Sequence, residues 1–325
     1  MRCRANVLFR VAVAWLALGL PCAATADDYP NKPIRIIVPW PAGGVADVAT
    51  RRVAAKMEPL LGQPLVIENK PGASGMIGAD FVAKAPPDGY TILRGDMVTH
   101  AVDPYLFKTI MYDAIKDFAP VSAHARGPMI LVVNPGLPVQ SVADLIAYSK
   151  AHPRSLNFGA PLGAPQHLAA ELLKHTTGAD ISHIPYKGEA PALTDVVAGQ
   201  IQLMFVFPSV GGPFVKAGKL RAIATTSGKR IRMLPEVPTF NESGFPELEV
   251  TAWGAFFAPA GTPRPIIDKL NAAIRKGMQD PEVQELLHLV GAEALTGSPE
   301  ELAAMLKVEM ERWAQVVKRA GVKIE

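Results

Sequence analysis

The chain has 325 residues, 49% of them hydrophobic and 19% charged, with 33 Lys and Arg against 30 Asp and Glu for a net charge of +3. Arg2, Arg4 and Arg10 account for that excess, so the rest of the chain balances at 30 charges of each sign, and nucleic acid is excluded as an expected partner. The only cysteines, Cys3 and Cys22, lie in the same N-terminal segment, which excludes disulfides, thiolate metal sites and a cysteine nucleophile from residues 27–325.

That segment has the layout of an export signal. Three arginines precede an apolar run from Val11 to Leu20, and Ala24-Thr25-Ala26 supplies small residues for cleavage after Ala26. The apolar run is too short for a bilayer span. Cys22 would be a lipidation site, but Gly19-Leu20-Pro21 before it is a poor lipobox. A soluble, periplasmic protein is expected, with residues 27–325 sufficient for about two domains.

Strand-like and helical runs then alternate, which predicts an α/β fold with mostly parallel sheets. Ile34 to Val38 reads as a strand and Val48 to Leu61 as a helix, with Val53, Met57, Leu60 and Leu61 at helical spacing and Gly62 just past the end. Leu65 to Glu68 and Tyr90 to Leu93 read as further strands. Between them lies a loop whose Gly-rich half resembles another helix N-terminus. The rhythm changes after Pro120, and Met129 to Val133 opens a second α/β unit. Ser141 is placed to cap a helix with Asp144 three residues on. Asn157-Phe158 leads into "GAPLGAPQHL" and a helix from about Gln166 to His175. A helix near Ala192 to Ala198 and strands Ile201 to Phe207 and Leu220 to Thr225 follow. Trp253 to Ala258 reads as a strand, and Ile266 to Gln279 and Pro299 to Ala320 as amphipathic helices.

Enzyme motifs fail on spacing. Five residues separate Gly212 from Gly218 where a phosphate loop has four, and Gly72-Ala73-Ser74-Gly75 lacks the spacing of a nucleophile elbow. His167 and Glu171 are four apart on one helix, but two ligands fall short of a zinc site; a His that anchors the turn by a hydrogen bond is the better reading. No catalytic residue, metal or cofactor is expected.

Two similar corners remain, each a strand, a small-residue turn and a helix: "IIVPWPAGGVAD" and "GAPLGAPQHL". Such corners aim backbone N–H groups and a positive helix end at one point, so two of them on facing domains could grip one anion. Singly, each is also readable as a plain βα turn.

Several long stretches resemble the Bug receptors, the extracytoplasmic substrate-binding proteins of tripartite tricarboxylate transporters. They are "YPNKPIRIIVPWPAGGVADVATR", "GQPLVIENKPGASGMIGADFVAKAPPDGYTIL", "HLAAELLKHTTGADISHIPYKGEAPALTDVVAGQI", "LPEVPTFNESGFP" and "FFAPAGTPRPIIDKLNAAI". The resemblance implies a two-domain Venus-flytrap fold of type II-like periplasmic binding proteins, with a hinge and an interdomain cleft. Domain 1 would comprise residues 27–124 with 226–325, and domain 2 residues 125–225. The protein would be a monomer that binds a small organic carboxylate and delivers it to the membrane permease subunits of such a transporter. A binding protein feeding a sensor kinase is the alternative, and a secreted hydrolase a further one.

By motif match, Ala42, Gly43, Gly44 and Val45 would form the first half of the site, with Asp47 bound to a bridging water or, as its position favours, capping the helix. Ala160, Pro161, Leu162, Gly163 and Ala164 would form the second half, and Thr99 and His100 would line the cleft. The second corner has no hydroxyl. The strand ending Phe205-Val206-Phe207 has no acid, which argues against a ligand amine. Trp40, Phe158, Phe205 and Phe207 stand at strand ends, where they would form an apolar wall favouring an apolar or aromatic carboxylate.

Overall fold

A computed structural model of the chain describes residues 29–320. The export signal, its cleavage after Ala26 and Cys22 lie outside these residues. In chain order the first part contains β1 (Ile34–Val38), α1 (Val45–Leu61), β2 (Leu65–Asn69), α2 (Met76–Ala83), β3 (Thr91–Asp96), the short α3 (Asp103–Leu106) and β4 (Phe118–Pro128). A second run follows: β5 (Ile130–Val133), α4 (Val142–Ala151), β6 (Leu156–Ala160), α5 (Pro165–Thr177), β7 (Ile181–Pro185), α6 (Glu189–Val197), β8 (Leu203–Val206), α7 (Pro208–Lys216) and β9 (Arg221–Thr225). The chain closes with β10 (Thr251–Pro259), α8 (Arg264–Met278), α9 (Pro281–Leu289), β11 (Glu293–Ala294) and α10 (Pro299–Ala320).

The strands form two sheets, ordered β11-β4-β10-β3-β1-β2 and β7-β6-β8-β5-β9. Each is mixed rather than mostly parallel. β1 pairs in parallel with β2 and β3, and β6 with β7 and β8. β10 is antiparallel to β3 and β4, and β5 is antiparallel to β8 and β9. The antiparallel strands are those that carry the chain between sheets, and a strand arriving without a crossover helix need not run parallel.

The two passages between sheets lie side by side. β4 ends at Pro128 and β5 starts at Ile130, while β9 ends at Thr225. Met129 donates its N–H to Thr226 Oγ1 at 2.8 Å, and Thr226 returns its N–H to Met129 O at 2.9 Å. The return passage also packs on the second sheet: Ile231, Leu234 and Val237 share a core with Ile130, Met204 and Val206.

β1 is an Ile/Val-rich strand with only Arg35 not fully buried, as a strand covered on both faces must be. α1 buries Val53, Met57 and Leu61 and stops at Gly62, whose φ of +69° suits a residue without Cβ. α8 lays Ile266, Ile267, Leu270, Ile274 and Met278 toward the core. Gly277 lets it approach α1: a Cβ there would stand 3.3 Å from Lys56 Cβ. α10 packs against both units, touching β4 and the π-helical turn Val98–Val102 on one side and α5 on the other. The largest apolar cluster accordingly contains Leu93 and Trp253 of the first sheet, Leu131 and Phe158 of the second, and Leu306 and Trp313 of α10.

Candidate functional site

β1 and β6 each end at the carboxyl edge of parallel strands and turn into a helix with the same construction. In the first corner Gly43 has φ +78°, Gly44 donates its N–H to Pro41 O at 3.3 Å, and Gly43 donates its N–H to Asp47 Oδ2 at 2.9 Å. In the second, Gly163 has φ +76°, Ala164 donates to Pro161 O at 3.1 Å, and Gly163 donates to His167 Nδ1 at 3.2 Å. A side chain four residues past the glycine, the third residue of the helix, therefore ties each turn. The equivalence continues one turn further, where Asp47 pairs with Arg51 (3.0 Å) and His167 faces Glu171 (3.9 Å).

This bonding corrects one expectation. Gly43 and Gly44 do not offer their N–H groups to a ligand, because both are used inside the turn. The donors that remain by position are those of the first helical turn, Val45, Ala46 and Asp47 in the first corner and Gln166 and His167 in the second, since Pro165 has no N–H. Ala42 and Gly43 are exposed, and Gly44 and Val45 half-buried. Asp47 is buried and acts as a tie for the turn rather than as an N-cap, which is Gly44. Burial pushes its carboxyl up, but hydrogen bonds from Arg51, Gly43 and Asn69 together hold it below the usual value. His167 is the hydrogen-bonding anchor expected of it. Burial, with His183 and Lys174 nearby, lowers its pKa to about 3, so the ring is neutral and Nδ1 is free to accept.

Trp40 is half-buried, and its indole N–H donates to the Asp96 carboxylate. Asp96 also takes Arg94 Nη1 at 2.9 Å and the N–H groups of Val98 and Thr99. Thr99 and His100 do not line a surface. Both are fully buried: Thr99 Oγ1 lies 2.9 Å from His100 Nδ1, and the His100 ring stacks on Phe257 at 3.8 Å. They brace the turn above them, since a Cβ on Gly75 would meet Thr99 Cγ2 at 2.8 Å.

The expected apolar wall largely dissolves into core. Phe158 is stacked on His183 at 4.8 Å and Phe205 on Phe240 at 5.9 Å, both with almost no exposure. Phe207 remains half-buried at the start of α7. Its N–H donates to Glu189 Oε1 at 2.9 Å, and Gln166 Nε2 reaches the same atom at 3.2 Å. An acid thus stands at the end of β8 after all, supplied by α6. Burial raises the Glu189 pKa to about 7 against those two hydrogen bonds.

The second corner is also covered where the first is open. Ala160, Gly163 and Ala164 are buried, Pro161 is half-buried and Leu162 exposed. A Cβ on Gly163 would lie 2.8 Å from Ser74 Oγ and 3.0 Å from Leu106 Cδ2, so the second unit's corner rests on the first unit at the turn before α2 and at α3. Sequence reasoning missed this third element. Gly72, Ala73, Ser74 and Gly75 all have positive φ, at +131°, +46°, +56° and +94°. Two non-glycine residues in that region mark a turn held by its surroundings. The Gly-rich spacing was a visible signal of a helix start, but not of its contact with residue 163. Among the described residues no group of three or more His, Cys, Asp and Glu could hold a metal, and no helix is long and apolar enough to cross a membrane.

Two mixed α/β units joined by paired passages, with the second corner resting on the first unit at their seam, define the architecture of a two-domain periplasmic binding protein. Residues 49–322 match the tripartite tricarboxylate transporter family receptor model, and the chain belongs to that family. Solved structures agree in fold. R. palustris Rpa4515 with adipate has a TM-score of 0.86 at 39% identity, covering 91% of this chain and 99% of that one. The periplasmic binding protein BugD gives 0.85 at 37%, over 91% and 100%. MatC (Rpa3494) from Rhodopseudomonas palustris with bound malate gives 0.82 at 33%, over 89% and 100%.

Proposed function

We propose that this protein is a periplasmic receptor that captures a small carboxylate between its two units and hands it to the permease subunits of a tripartite tricarboxylate transporter. The observation that carries the reading is the pair of equivalent corners. Each presents the first turn of a helix of 13 or 17 residues, a stretch long enough for its positive end to hold an anion. The ligand contacts would be the Val45 and Ala46 N–H groups in the first corner and Gln166 with the Pro161–Ala164 turn in the second. Asp47 and His167 hold those turns in shape. The adipate bound to Rpa4515 and the malate bound to MatC support a carboxylate as the ligand.

Binding without chemistry fits the two corners, where Asp47 and His167 are tied into structural hydrogen bonds. The units would be residues 27–124 with 226–325, and 125–225, exported after cleavage behind Ala26 and working as a monomer. The apolar side of the ligand would meet Trp40 and Phe207. Calorimetry against a panel of aliphatic, aromatic and polycarboxylic acids, with small-angle scattering on the best binder, tests the reading. Submillimolar binding of at least one intact acid with compaction of the protein is expected. Binding of none, or recovery of a chemically altered acid, would overturn it.

A further inference from the structure

Trp40 and Asp96 face one another across the carboxyl edge of the first sheet. β1 and β3 run parallel with Ile37 opposite Leu93, and three further residues on each chain bring Trp40 level with Asp96. Arg94 and Asp96, two apart on β3, lie on one face and form a salt bridge at 2.9 Å in which each side chain is only 10% exposed. Gly254 of β10, opposite Asp96, makes the room, because a Cβ there would collide with the guanidinium. Both carboxylate oxygens are occupied. Oδ2 takes Arg94 Nη1 and the Trp40 indole N–H, and Oδ1 takes the N–H groups of Val98 at 3.0 Å and Thr99 at 3.2 Å. Asn69 holds the backbone of Trp40, donating Nδ2 to its C=O at 3.0 Å and to Asp47 Oδ1 at 3.0 Å. Ring and backbone of Trp40 are thus fixed by the network that ties the first corner.

We propose that Asp96, braced by Arg94, is a positioning residue that fixes the Trp40 ring as a preformed apolar face for the ligand beside the first corner. The inference rests on the receptor reading and deepens it, by naming what holds the ring and which part of it the ligand meets. Stability alone is a poor reason for this ion pair, since well-packed apolar residues often replace a buried pair without loss. Arg94 is an awkward core residue: its Nε has no hydrogen-bond partner, and burial lowers its pKa against the pull of Asp96. What the pair does supply is an acceptor aimed at a half-buried ring. Indole has one polar atom, and Asp96 takes it, so the part of Trp40 left to the outside is carbon. A ring free to turn would lose rotamer freedom when a ligand packs on it, and one anchored beforehand does not. Asp96 acts only through Trp40, because neither of its oxygens is left for a ligand.

The test pairs calorimetry, with adipate, hexanoate and benzoate as probes, with NMR of the indole N–H groups, the Trp40 signal being assigned by its loss in Trp40→Phe. In wild type that signal should lie downfield and exchange slowly with water. Arg94→Leu combined with Asp96→Leu removes the pair without stranding a buried charge. It should return the signal to the range of a free indole and weaken the best-bound probe about three- to tenfold. Arg94→Leu combined with Asp96→Asn keeps an acceptor for the indole and should restore both the signal and, within twofold, the affinity. On a Trp40→Phe background the leucine pair should cause no further loss, because no indole N–H remains to be held. Absence of binding by every probe overturns the receptor reading itself. An equal loss with and without the indole, or no loss in the leucine pair, overturns the positioning role alone. So does a wild-type Trp40 N–H that exchanges freely with water, a measurement that decides even where the leucine pair fails to fold.

Discussion

The two corners share a backbone and differ in everything attached to it. Gly43 and Gly163 have φ values two degrees apart and both donate to a side chain four residues on, yet one turn faces solvent and the other is pressed against the opposite unit. The first is tied by a carboxylate and the second by a neutral imidazole. The shared part points the positive end of a helix out of each corner. The differing part decides how each half responds to acid.

Substituting the equivalent glycines separates these roles most sharply. Gly43→Ala and Gly163→Ala should each cost about 1–2 kcal/mol of stability from the left-handed backbone. Only Gly163→Ala adds a methyl against Ser74 and Leu106, so its affinity for the bound acid should fall at least tenfold, against less than threefold for Gly43→Ala. Equal losses in calorimetry would break the distinction between an open and a seam-forming corner.

Removing the first tie comes next in size. Asp47→Ala strips acceptors from Gly43, Arg51 and Asn69 and should cost about 2 kcal/mol in denaturant unfolding, because hydrogen bonds to a charged group are the stronger kind. A loss under half that would mean that the turn holds its shape without the carboxylate.

Acid should loosen the corners in sequence. The His167 pKa is depressed in the fold, so the unfolded chain takes the proton first; the stability it contributes is complete above pH 6.5 and is lost as pH falls toward 3. Asp47, also depressed, keeps its contribution down to its ordinary value of 3.8 and loses it only below that. Between pH 6.5 and 4 the thermal midpoint should therefore decline in wild type and decline less steeply in His167→Gln. Parallel curves would sink the assignment of a neutral anchoring ring.

The smallest effect concerns Glu189. Its pKa is raised to about 7, so the folded protein binds more protons than the unfolded one between pH 4.5 and 7, and stability falls as pH rises through that window. Glu189→Gln should raise the midpoint by about 2–4 °C at pH 8. At pH 4.5 the midpoint should be nearly unchanged.

Much of this was legible in local pattern. Ile34–Val38 is read as a strand to the residue, and the corner helices start within three residues of expectation, because β-branched runs, Gly/Pro turns and 3.6-residue spacing are local signals. His167 was legible as an anchor because it and Glu171 supply too few ligands for a metal. What stayed hidden depends on residues remote in sequence. Trp40 meets Asp96 across 56 positions, and Glu189 fills the end of β8 from 18 positions earlier. Asp103 carries no periodic signal at all. Phe158 and Phe205 sit at strand ends like Trp40, and only the packing around them shows that they are core.

The sequence alone determined an exportable-looking, charge-balanced α/β chain with two small-residue corners, since composition, turn chemistry and helix starts are properties of neighbours along the chain. The tertiary structure decided which N–H groups remain for a ligand, that Gly163 lies on Ser74, and that Asp103 is buried beside Asp96 without a cation. Those are properties of surfaces brought together, and burial is what pushes the Asp103 pKa above that of an ordinary aspartate.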